Sequence, residues 1–196
     1  MQENEMQGQQ ETKPQAIDFS KEFDALLNAK GKITTSMLTA VNRYFLYFSF
    51  FESLLLGCSG GQKKSYDYAK ALKDRGFFDE GVIRSTFSVF ADRYITERQR
   101  YEGLCGEERH TNSKTKEKYY EVMHAKKDDL ITQFELCLFV CFRLRNNLFH
   151  GPKWRYFLDG QEELLLTAGN FIHSILEKVP KSEEGWDFQD ILSPTE

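Results

Sequence analysis

The residues with the greatest capacity for chemistry fall in one run, CFRLRNNLFHGPKWR, which holds Arg143, Arg145, Asn146, His150, Lys153 and Arg155. An imidazole titrates near neutral pH and moves protons in either direction. A guanidinium keeps its charge and offers a planar fork of N–H donors to a carboxylate or a phosphate. Arg143 and Arg145 interrupt an otherwise apolar stretch, where a charge costs desolvation unless it snorkels outward or meets an anion. Glu52, within another long apolar segment, is a candidate partner. On a helix Asn146 and His150 share a face, so Asn146 can orient the ring, whereas Arg145 and His150 stand ~140° apart around the axis. His150 also falls at a helix C-terminus, where the dipole favours imidazolium, and Gly151 and Pro152 stop the helix there.

Each of these residues also has a purely structural reading. A histidine at a helix end often bonds the last carbonyls, and an Arg145–Glu52 pair can fix helix packing whether or not it serves a site.

The elements that position this run are helical throughout. Residues 1–15 are polar and aperiodic, the pattern of a mobile tail, and residues 181–196 form a second polar tail carrying Trp186 and Phe188 that either tucks onto the body or stays free. Between them, residues 16–180 read as a single domain. Asp18 caps a first amphipathic helix with Phe19, Phe23, Leu26 and Leu27, closed by Gly31. A cap among Thr34, Thr35 and Ser36 opens a second helix that runs to Gly57, and its near-continuous apolarity predicts a central place. The loop 57–65 lacks the glycine that a Walker phosphate loop needs before its lysine, since Gln62 stands there. A short helix over 66–75 and a longer one over about 79–100 follow. Thr111 or Ser113 is predicted to cap the next helix, which either breaks near Asp128 and Asp129 or runs straight on, and the pattern from Leu130 carries helix to about Phe149. Asp159 and Glu162 have capping-box spacing ahead of the final amphipathic helix. No stretch alternates like a strand, so the fold class is all-α, a helical bundle with long loops.

Composition narrows the function. A net charge of -4 argues against coating nucleic acid through the overall field, so a polyanion must bind at a local patch. Cys58, Cys105, Cys137 and Cys141 have no zinc-ligand spacing, and no leader-like segment precedes them, so reduced thiols in a cytoplasmic protein are expected, without metal or cofactor. No apolar run has the ~20 residues of a membrane span.

Arg145-Asn146-Asn147-Leu148-Phe149-His150 resembles the signature of HEPN domains, an Arg followed four to six residues later by His, with a polar residue after the Arg. The resemblance covers the last two helices well and the rest in helical character. It implies a HEPN-type bundle and a metal-independent endoribonuclease of toxin–antitoxin or phage-defence biology. In that reading Arg145 and His150 are catalytic, Asn146 assists, and a homodimer pairs two motifs in one cleft on RNA. Arg143, Lys153 and Arg155 become candidate phosphate contacts; Lys153 and Arg155 fit equally as solvated charges. Some HEPN toxins carry a tyrosine three residues beyond the histidine that a nucleotidyltransferase partner modifies, and here that place is Lys153. Lys153 there speaks against that form of regulation; an antitoxin or nucleotidyltransferase partner is a further expectation from the resemblance itself, and a non-catalytic HEPN-like module binding RNA, a nucleotide or a protein is the alternative.

Overall fold

A computed structural model describes residues 18–150 and 158–193, with His150 described by its backbone alone. The described residues form α1 (Phe19–Leu27), α2 (Thr35–Leu55), α3 (Ser65–Asp74), α4 (Glu80–Thr96), α5 (Arg98–Cys105), α6 (Ser113–His124), α7 (Leu130–His150) and α8 (Glu162–Lys178), with one 3-10 turn at Gln62–Lys64. No strand occurs among them, and isolated bridges join Leu56 to Asp190 and Ser182 to Gly185. The fold is all-α.

Capping residues set several of the boundaries. Asp18 accepts from the Lys21 amide, Thr34 from Met37 and Asp79 from Val82, each satisfying an amide that the first helical turn leaves without a partner. α6 is capped by Asn112, which accepts from Thr115. The expected caps Thr111 and Ser113 are displaced because Glu108 takes the Ser113 amide and hydroxyl while Thr111 is buried.

α7 occupies the centre. Its middle, from Phe134 to Leu144, is buried on every side, the condition under which a helix is apolar all round. α3, α4 and α5 pack against it, α2 lies along α8, and α4 also meets α6 and α8. The central place expected for α2 therefore belongs to α7. α2 buries Tyr44, Phe48, Phe51 and Leu54 but leaves Phe45 and Leu46 exposed, so its apolar surface exceeds what the described fold covers. Tyr44 joins the two, its hydroxyl donating to the Cys141 carbonyl at 2.5 Å.

Two further expectations give way to tertiary geometry, and the place of the C-terminal segment, open from the sequence, is decided. The predicted helix over 79–100 breaks at Glu97 (φ −133°, ψ 87°). The Thr96 hydroxyl there bonds back to the Asp92 carbonyl, a contact that bends helices, and the chain turns to send Tyr101, Leu104 and Cys105 inward. The capping box of Asp159 and Glu162 does not form. Gln161 is the cap but its side chain caps no helix amide and donates instead to the Asp159 carbonyl, Leu158 to Gly160 is a turn, and Glu162 accepts from Ser36 on α2. The C-terminal segment is docked: Gln189 and Ile191 donate their amides to the Leu54 and Leu55 carbonyls, and Trp186 and Phe188 meet Phe50 edge-on.

Cys105, Cys137 and Cys141 are buried, as small core hydrophobes are. Burial pushes the Cys105 thiol up to about 11 and those of Cys137 and Cys141 up as well.

Candidate functional site

The last turns of α7 carry two arginines whose surroundings differ sharply. Arg143 points into the protein and is 3% exposed. Its Nε donates to the Leu104 carbonyl (3.0 Å), Nη1 to Gln62 Oε1 (3.2 Å) and Nη2 to Asn147 Oδ1 (3.2 Å). Asn147 in turn donates to the same Leu104 carbonyl at 3.0 Å. Together Arg143 and Asn147 satisfy a carbonyl at the end of α5 that its own helix cannot. Desolvation lowers the Arg143 pKa, and no carboxylate stands among its hydrogen-bonding partners. Arg143, expected to touch substrate, is thus placed as an internal brace among α5, α7 and the 62–64 turn.

Arg145 faces the other way. Its guanidinium meets Glu52 Oε1 of α2 at 2.5 Å, and the two side chains are 26% and 21% exposed. Nη2 also donates to the Gly60 carbonyl (3.2 Å), Nη1 donates to Asn146 Oδ1 (3.1 Å), and the plane stands 5.6 Å from the Phe48 ring centre. The partner foreseen in Glu52 is therefore present. Asn146, read as an orienter of the imidazole, here receives a bond from Arg145.

The loop after α2 closes over this pair. Gly60 sits where a Cβ would lie 2.6 Å from Leu56 Cδ1, 3.1 Å from Phe142 Cε1 and 3.2 Å from Glu52 Oε1. A side chain here would press on all three, so glycine suits the position from which the backbone carbonyl reaches the guanidinium. Hence Gly60 of this loop serves an arginine of the protein itself.

The backbone of α7 extends through His150, five residues beyond Arg145. The His150 side chain, Lys153 and Arg155 lie outside the described residues. Beside the helix end, Phe45 of α2 and Phe149 of α7 meet at 5.3 Å between ring centres, and both are exposed, as is Leu46. A part-exposed guanidinium therefore lies near an apolar patch that is exposed among the described residues. Such a cation can take a phosphate oxygen, in competition with Glu52.

Sequence reasoning passed over Asn147, Gln62 and Gly60. Asn147 had a signal, a second amide beside Asn146 in an apolar helix, whereas Gln62 and Gly60 depend on how a loop folds back. No family model, curated protein or solved structure matches the chain.

Proposed function

We propose that this chain is a HEPN-type, metal-independent endoribonuclease that acts on RNA as a homodimer, in toxin–antitoxin or phage-defence biology. The observation that carries the reading is Arg145, a part-exposed guanidinium held in a defined orientation five residues before His150 on the same helix. RNA cleavage without a metal needs a base for the 2′-hydroxyl, an acid for the leaving 5′-oxygen and a cation for the crowded phosphate. Arg145 supplies the cation and His150 the proton transfer, with Asn146 beside them. The exposed Phe45, Leu46 and Phe149 offer an apolar face next to the motif, on which a second copy brings its own Arg and His to the same cleft.

The test is RNA cleavage by the purified chain in excess EDTA. Cleavage is expected to persist, and Arg145→Ala or His150→Ala to reduce it by about 100-fold or more. Absence of cleavage, or variants that cut as well as the parent, overturns the proposal. Sedimentation should show a dimer that Leu46→Glu dissociates.

One observation favours a second reading, a non-catalytic module that binds RNA, a nucleotide or a protein. Glu52 already neutralises Arg145 in the free chain, as it would in a packing role. Ligand binding without turnover, weakened by His150→Ala, distinguishes it.

A further inference from the structure

The two arginines of α7 use their donors differently. Arg143 bonds through all three of its nitrogens, each to an uncharged oxygen. Arg145 bonds through two, giving Nη2 to Glu52 Oε1 (2.5 Å) and the Gly60 carbonyl (3.2 Å) and Nη1 to Asn146. Its Nε is buried and has no partner among the described residues. A guanidinium that only braces a fold satisfies its whole fork, as Arg143 does, because each buried donor left unpaired costs stability.

Glu52 is no better placed for a role other than this contact. It lies in the last turn of α2, where the negative end of the helix dipole disfavours a carboxylate. Among the described residues its side chain accepts one hydrogen bond, that from Arg145 at Oε1, and Oε2 accepts none. A single carboxylate oxygen therefore stands where a phosphate oxygen from outside would meet the same guanidinium. The two side chains are 26% and 21% exposed, so a ligand reaches the pair from solvent, and side-chain rotation is enough to part it.

We propose that Glu52 is an autoinhibitory counter-ion, which occupies the phosphate position at Arg145 in the free chain and is displaced when RNA binds. The inference deepens the proposed function and rests on it in one respect, that Arg145 meets an RNA phosphate; it needs neither His150 nor cleavage. A ligand that requires the free guanidinium finds it only in the molecules where Arg145 has left Glu52, and its apparent affinity is reduced by that fraction. The carboxylate also repels the incoming phosphate. Removing its charge is therefore expected to tighten binding, whereas loss of a packing contact would weaken it or leave it unchanged.

Fluorescence anisotropy of a short, uncleavable 2′-O-methyl single-stranded RNA, titrated with the full chain at fixed ionic strength, tests the proposal. The parent is compared with Glu52→Gln, Arg145→Ala and the double variant, and Glu22→Gln, at an exposed position of α1, controls for net charge. Glu52→Gln is expected to bind at least about tenfold more tightly than the parent, and the gain to vanish once Arg145→Ala is added. Binding no tighter than that of Glu22→Gln, or a gain that survives Arg145→Ala, overturns the proposal. Should Glu52→Gln not fold, Glu52→Asp, which keeps the charge but withdraws it by one methylene, must bind more tightly than the parent for the proposal to stand. The failures are separable. Weaker binding by Arg145→Ala with no gain in Glu52→Gln removes the inference alone, and a gain through Arg145 in a chain that cuts no RNA removes the nuclease alone. If neither substitution alters binding, Arg145 meets no phosphate and both fall.

Discussion

At the scale of single residues, two arginines two positions apart have opposite fates because α7 turns by about 100° per residue. Arg143 is directed to the α5 terminus and Arg145 to α2. Truncating Arg143 removes three hydrogen bonds and strands the Gln62 and Asn147 oxygens that it serves. Arg143→Met is therefore expected to lower unfolding free energy by about 2–4 kcal/mol in urea titrations, and Arg143→Lys not to restore it, since an ammonium cannot span the same fork of acceptors. For Arg145 and Glu52, a double-mutant cycle should give a coupling of about 1–2 kcal/mol, larger than for a surface pair because both side chains are mostly covered. Additive single effects would remove the pair as a stabilising contact.

At the scale of elements, the site depends on how α7 starts and on how the loop after α2 closes. Asp129 precedes α7 and accepts from the Thr132 amide (2.8 Å) and hydroxyl, which hold its carboxyl below the ordinary value of 3.8. The bonds favour the ionised form, so the stabilisation is full above the unfolded-state value and is lost as pH falls through the lower folded-state one. Asp129→Ala is thus expected to cost about 1 kcal/mol at neutral pH, a difference that closes in acid denaturation as the parent's carboxyl protonates. A difference that persists unchanged in acid would assign the effect to something other than the cap. At Gly60 an added methyl meets Leu56, Phe142 and Glu52 together. Gly60→Ala should destabilise by about 1–3 kcal/mol and displace the carbonyl that Arg145 uses, read as a change in the Arg145–Glu52 coupling. Gly61→Ala, with open space around it, is the control.

At the scale of the whole molecule, the C-terminal segment is part of the fold. Ile191 is buried, and the amides of Gln189 and Ile191 take carbonyls at the end of α2. Ile191→Ala should cost about 2–4 kcal/mol, and truncation after Val179 should lower the thermal midpoint further by uncapping α2 and baring Phe50. Unchanged stability on truncation would show the docking to be marginal. No helix among the described residues is long and apolar enough to cross a membrane.

Most helices, α5 apart, were legible from the sequence because they follow from local physics. Apolar spacing near 3.6 residues, caps such as Asp18 and Thr34, and stops at glycine all act within a turn or two of chain. The same local cues pointed to Glu52 for Arg145, since two charges stranded in apolar helices have few alternatives. What only the tertiary structure decided is every feature in which distant segments compete for one group. Ser36 draws Glu162 away from a capping box, Leu104 claims Arg143, the close of the 57–61 loop requires Gly60, and α7 takes the centre from α2. Such contacts pair residues tens of positions apart, and chain spacing carries no information about which of several possible partners folding brings within reach.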